Sequence, residues 1–381
     1  MTYDVVIVGA GVMGSATAYW LSRAGKHVAL IDKHTPAHSG AASGDESRAI
    51  RYQYRGQDIY TEMVIGAVEL WKAFDRELGT NFYREQGVLA MQSVPDHPSI
   101  TAGYEGLRRL GFRPRWMDAG DLRRRFPQFA NLDSGYFQEG LGGYIAARPA
   151  TGALVQRAKD LGATIRTNTE IVELREVAGR VSAAVTRDGH VFEADAFVIA
   201  IGSWSTALLP DLPLQVQPTA ARLHYLKPPD GATYSFPRLA PFAVEDTQFY
   251  GFPVHWCGAM KLADDAIGAP FDPDHDREHE DPVALAKLRN FLRVHMPELA
   301  AAEVTYSKTC TYAMTPDSDF VIDFIPGREN TIVATGFSGH GFKFGILIGR
   351  ILSDLVVHGT TRWDLSRFRL DRTPTPVIEH W

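Results

Sequence analysis

The segment "VVIVGAGVMGSATAYWLSRAG" near the N-terminus restricts the chain more than any other stretch. Val5 to Val8 form a short apolar run suited to a buried strand, and the pattern that follows Gly14 is helical up to Gly25. Gly9, Gly11 and Gly14 fall on G-x-G-x-x-G between the two, and "KHVALID" supplies a second strand ending at Asp32. This is a βαβ unit of the dinucleotide-binding kind. Gly9 permits the tight turn, Gly11 lets a pyrophosphate approach the backbone, and Gly14 lets helix and strand pack closely. The helix N-terminus favours the anion. Asp32 is placed to accept hydrogen bonds from ribose hydroxyls, which argues against a 2′-phosphate there.

The fingerprint serves NAD and FAD alike. FAD lies extended in many such folds and needs a second grip from late segments, for which "IGSWS" (201–205) and "GFSGHGFK" (336–343) are candidates. Between the grips, helices are expected at "YTEMVIGAVELWKAFDRELG", "AGDLRRRFP" and "PVALAKLRNFLRVHMPEL". "FYREQGVLAMQ" is expected as one strand leaving the first lobe. A helix and a strand then precede two alternating strands joined by "RDG", followed by a separate buried strand, "AFVIAIG". "ARLHYLKP" and "TQFYGFPV" read as strands of a second lobe, and "FVIDFIP" and "NTIVATGF" precede a long helix beginning near Phe342. With 381 residues, two lobes are the expectation.

Composition matters mainly for what it excludes. A net charge of -6 gives no reason to expect nucleic acid as a partner. Two cysteines, Cys257 and Cys310, are too few for a disulfide framework and suit a reducing cytoplasm. No apolar run is long enough for a membrane span and no basic segment precedes the first strand, so neither signal peptide nor crossing is expected. The histidines form no H-E-x-x-H or similar pattern, so no metal is expected.

Three features have both a plain and a functional reading. "HTPAHSGAASGDESRAIRYQYRG" reads as a loop whose Arg48, Arg51 and Arg55 either touch something anionic or form a solvated charge cluster. Cys310 is by itself an inert buried thiol or a reactive one. In "GFSGHGFKFG" the lysine between two phenylalanines, Lys343, either snorkels from a glycine turn or serves a site.

Four blocks carry a resemblance: "VVIVGAGVMGSATAYWLSRAG", "SGDESRAIR", "YGFP" with Lys261 after it, and "TCTYAMTPDSDFVIDFIP" through "GFSGHGFKF". They are spread over nearly the full length, and in their order the chain resembles the monomeric sarcosine oxidase and N-methyltryptophan oxidase family of D-amino-acid-oxidase-like flavoproteins. The resemblance implies an α/β Rossmann-type FAD-binding domain with a discontinuous antiparallel-sheet substrate domain of α+β character. The FAD-binding domain would comprise 1–85, 146–218 and 306–381, and the substrate domain 86–145 and 219–305. It implies a monomer that oxidises the C–N bond of a secondary amino acid, N-methyl or cyclic, to an imine, with O2 reduced to hydrogen peroxide. A flavin dehydrogenase using another acceptor, or a biosynthetic oxidase of a modified amino acid, is the alternative.

Carried over residue by residue, the family pattern attaches FAD covalently at Cys310. It places FAD contacts at Gly9, Gly11, Val12, Met13, Gly14, Asp32 and Lys33, then at Ser43, Ser47 and Arg48. Further contacts follow at Ile171, Gly202, Trp204, Gly339, His340, Gly341, Phe342 and Lys343, with the helix from Phe342 aiming its positive end at the flavin. Lys261 matches the lysine that activates oxygen: a fixed ammonium in a dry site stabilises the anion formed when oxygen takes an electron. Its plain reading is a lysine at a strand end. Arg51 and Lys343 match the pair that holds the substrate carboxylate, Arg48 lies close to the ring, and Tyr250 and Tyr312 line the pocket. The substrate amine is expected to bind already neutral. One departure stands out: Asp265 occupies the position of a sarcosine oxidase histidine, which alters the pocket's charge.

Overall fold

The computed structural model describes residues 2–276 and 281–375. The ends of the expected domain ranges at residues 1 and 376–381, and residues 277–280 within the second, lie outside the described residues.

The βαβ unit forms as expected. The strand Tyr3–Val8 runs parallel to Val28–Ile31, and the helix Val12–Arg23 joins them. Three further parallel strands complete the sheet's centre: Thr164–Arg166 beside Val28–Ile31, Val191–Ile199 beside Tyr3–Val8, and Arg328–Thr335 beyond that. The sheet has eight strands, including the antiparallel additions Ile171–Val177, Arg180–Thr186 and Val321–Ile325. "HVFEADA" and "AFVIAIG" are one continuous strand, Val191–Ile199, which pairs antiparallel in its first half and parallel in its second. The helix Val12–Arg23 is buried almost all round because it lies between the helices Ala147–Asp160 and Gly345–His358.

The second sheet also has eight strands, antiparallel apart from one parallel pairing between Leu89–Gln92 and Phe242–Val244. Its other strands are Gln217–Lys227, Phe249–Phe252, Met260–Asp264, Glu303–Met314, Ser134–Phe137 and Arg115–Asp118. Glu303–Met314 pairs with Gln217–Lys227 along its whole length, so residues 306–314, within the range expected for the FAD-binding domain, form part of this sheet.

Two expectations are corrected. "FYREQGVLAMQ" is two strands, Tyr83–Glu85 and Leu89–Gln92, in different sheets. The break falls at Gly87, where a side chain would collide with the Phe137 ring at 2.7 Å. The segment read as a loop around Arg48 contains the strand Ser47–Ile50, which pairs with Gly143–Ala146 in a three-stranded sheet with Tyr83–Glu85.

Candidate active site

At the C-terminal ends of the parallel strands a cavity of about 410 Å³ opens, which is where open α/β sheets bind ligands. Its walls include Gly9, Gly11, Val12, Met13, Asp32, Lys33, Ser43, Arg48, Ile171, Gly202, Trp204, Gly339, Gly341 and Phe342. Both expected grips therefore face one space. Thr311, Tyr312 and Ala313 reach it from the second sheet. Gly14, Ser47, Cys310, His340 and Lys343 do not line it. Gly14 works from behind: a Cβ there would lie 1.9 Å from the Gly9 carbonyl. His340 is packed among Tyr60, Phe320 and Phe344, with Nε2 3.1 Å from the Ser318 carbonyl.

The cavity fits FAD on its own terms. Gly9 has φ +105, and a side chain there would lie 2.4 Å from the Ala200 carbonyl. The turn therefore keeps its backbone open for a pyrophosphate. Asp32 is oriented by the N–H groups of Ala10 (2.6 Å) and His34 (2.7 Å), which leaves its carboxylate edge on the cavity. Lys33 binds Asp274 at 2.8 Å, and Asp274 also accepts from Trp204 Nε1 at 2.9 Å. Asp274 and the neighbouring rings of His34 and His38, tilted at 48° to each other, are wall residues that the sequence reading missed.

The chemistry is set by one face of the second sheet. Residues opposite each other on antiparallel strands point to the same side. Phe252 faces Lys261, and Lys261 faces Tyr225; Tyr250 faces Ala263; Ala221 faces Cys310; Thr219 faces Tyr312. Alternation therefore gathers Tyr250, Phe252, Lys261, Tyr225, Lys308, Cys310 and Tyr312 on one face. The small residues Ala221 and Ala263 keep that face open.

The loop before Ser47–Ile50 folds onto this face through Asp45, a residue that sequence reasoning missed. Lys261 has no exposed surface; its Nζ pairs with Asp45 and donates to the Ser47 carbonyl at 2.9 Å. Asp45 also binds Arg48 at 2.5 Å and accepts from Tyr225 Oη at 2.7 Å. Burial raises its carboxyl, but Lys261 and Arg48 overcome this and hold it far below the usual range. Lys261 is lowered to about 8 by burial, with Asp45 opposing the shift. Arg48 donates to Cys310 Sγ at 3.2 Å and to the Ala42 carbonyl at 2.7 Å. Only the position of Asp45 within "SGDESRAIR", between the arginines and the glycine turn, could have suggested it.

Arg51 and Lys343 meet around Tyr54. The guanidinium lies 4.5 Å from the ring centroid, and Lys343 Nζ donates to Tyr54 Oη at 2.9 Å and to the His340 carbonyl at 2.8 Å. Burial and then Arg51 push the Lys343 ammonium well below its usual range. Tyr250 and Tyr312 sit with their hydroxyls 3.5 Å apart, and burial keeps both protonated. The helix expected from Phe342 starts with a tighter 3-10 turn, Phe342–Phe344, and becomes α-helical only at Gly345. Among the described residues no helix is long and apolar enough to cross a membrane, and no cluster of His, Cys, Asp and Glu is placed to hold a metal ion.

A parallel sheet with a glycine-turn cavity, faced by a second sheet bearing buried cations, defines a nucleotide-dependent redox enzyme. The model of the FAD dependent oxidoreductase family matches residues 4–355. Monomeric sarcosine oxidase of an Arthrobacter species is 30% identical over 97% of this chain and 96% of its own. N-methyl-L-tryptophan oxidase of Salmonella heidelberg is 30% identical over 98% of this chain and 99% of its own. L-proline dehydrogenase from P. horikoshii superposes with a TM-score of 0.85 over 97% of each chain at 20% identity, a likeness of fold. The chain belongs to the family of FAD-dependent oxidoreductases that includes the monomeric sarcosine and N-methyl-L-tryptophan oxidases.

Proposed function

We propose that this enzyme oxidises the C–N bond of a small secondary amino acid, N-methylated or cyclic, to the imine, and that O2 takes the electrons and leaves as hydrogen peroxide. FAD, when bound, accepts the hydride. Arg51 offers the substrate carboxylate a two-pronged grip, and Lys343 adds a point charge whose ammonium form an incoming anion restores. Together they fix the substrate carbon to be oxidised against the tyrosine pair, Tyr250 and Tyr312. Arg48 and Lys261 form a cationic group on the sheet face, and Lys261 supplies the fixed charge that oxygen needs when it is reduced. Cys310, buried and in contact with Arg48, is the point of covalent attachment for FAD.

The observation that carries this reading is the single sheet face that bears Lys261, Cys310, Tyr250 and Tyr312, the last of which lines the cavity. Support for the amine comes from two relatives named for N-methyl amino acids, and the name of one supports a monomer. Two free thiols suit a reducing cytoplasm. The test is a steady-state peroxide assay across N-methyl, cyclic and primary amino acids. Peroxide formed in proportion to substrate is the expected result. Reduction of an artificial acceptor without peroxide would instead identify a dehydrogenase.

A further inference from the structure

Asp265 follows the strand Met260–Asp264, four positions beyond Lys261, so the alternation places it on the face that bears Lys261 and Tyr250. Its backbone N–H donates to the Gln248 carbonyl at 2.9 Å and anchors it just past the strand. Its Oδ2 is closed off from solvent and has no hydrogen-bond partner among the described residues. Such an oxygen is costly unless a ligand brings the donor. The charged groups that act on Asp265 are Arg51, Asp264, Glu245 and Lys343, and its own charge acts on Tyr250 and Tyr312. Two cations suited to a carboxylate and one carboxylate without a donor thus share a neighbourhood. An amino-acid zwitterion carries the two opposite charges one carbon apart.

The geometry points to a role that rests on the amino-acid reading above: Asp265 binds the substrate's ammonium and takes its proton, so that the amine is oxidised uncharged. One N–H bond breaks, its electron pair stays on nitrogen, and the proton forms an O–H bond at Oδ2. This differs from the expectation that the amine binds already neutral, and its ground is that an aliphatic amine in neutral water is protonated. Burial holds the Asp265 carboxyl well above its usual range, with Arg51 and Lys343 working against it. A bound carboxylate pairs with Arg51 and with the Lys343 ammonium that it restores, and so offsets their pull on Asp265. Offsetting Arg51 and Lys343 strengthens Asp265 as a base, while the arriving ammonium favours the ionised form that binds it.

The test uses the flavin-containing enzyme and two isosteric ligands followed by flavin absorbance. Trimethylglycine carries the cation but has no proton to give and no lone pair to oxidise; 3,3-dimethylbutanoate has the same shape without charge on that end. The wild type is expected to bind the first about tenfold more tightly, and Asp265→Asn to bind both alike. Asp265→Glu should recover the preference, which separates lost charge from a damaged pocket. In anaerobic reduction by N-methylglycine, the efficiency of Asp265→Asn should rise about tenfold per pH unit up to the amine's pKa, while the wild type levels off as soon as Asp265 is ionised. A wild type that binds the two ligands equally, or a variant that keeps the cation preference, overturns this inference alone. A wild type that binds neither carboxylate overturns the amino-acid reading and this inference with it.

Discussion

Lys261 combines full burial with the carboxylate partner Asp45, and the combination makes its charge adjustable. Burial brings its pKa down to about 8 while Asp45 holds it up. The ammonium is therefore the dominant form below about pH 8 and is lost above it. Reoxidation by oxygen, followed by stopped flow, should fall as pH rises through that value. In Asp45→Asn the upward pull is gone, so the fall should move to lower pH. Lys261→Met should slow reoxidation on the order of 100-fold and leave anaerobic reduction by substrate nearly unchanged; equal slowing of both steps would argue against the role. The role proposed for Arg51 concerns the substrate alone. Arg51→Ala should raise the Kd for amino-acid substrate and for carboxylate inhibitors about 10- to 100-fold, the worth of a charge-assisted hydrogen bond. Unchanged inhibitor affinity would contradict the assignment.

At the scale of elements, the nucleotide half rests on the contact between the helices Val12–Arg23 and Gly345–His358. A Cβ on Gly349 would lie 2.4 Å from Ala16 Cβ and 2.7 Å from the Thr17 nitrogen, so the two backbones touch. Gly349→Val should cost about 1–3 kcal/mol through overpacking, read as a Tm several degrees lower and a weaker hold on FAD, since Val12 and Met13 on the first helix line the cavity. The βαβ unit was legible because glycine spacing and apolar runs coincide there. The helix Pro98–Arg109 was not: its buried face includes Ser99, Gly103 and Gly106, which leave little apolar period to read. Asp45 was equally hidden, because a carboxylate that serves a buried lysine and a partly buried arginine looks on paper like any loop aspartate. The face that unites Lys261 with Cys310 needs the pairing registers, and no single strand's sequence contains them.

In the whole molecule, the cavity is walled on one side by the ends of the parallel strands and on the other by Thr311 to Ala313 of the second sheet. FAD seated there would touch both sheets, and its binding energy would count toward the stability of the whole chain. The proposed link at Cys310 would keep the flavin from leaving, and wild-type protein precipitated with acid should then stay yellow, with none of the flavin in the supernatant. Cys310→Ser removes the link and leaves the walls intact, so FAD should bind reversibly and the Tm should rise with added FAD. At a free concentration near 100 times Kd the gain is about 2.7 kcal/mol, and the wild type's Tm should not respond to FAD at all. A wild type that releases its flavin into the acid supernatant, or melts in an FAD-dependent way, would show that the cavity holds FAD without Cys310. The roles of Lys261 and Arg51 would stand in that case, because neither depends on the sulfur.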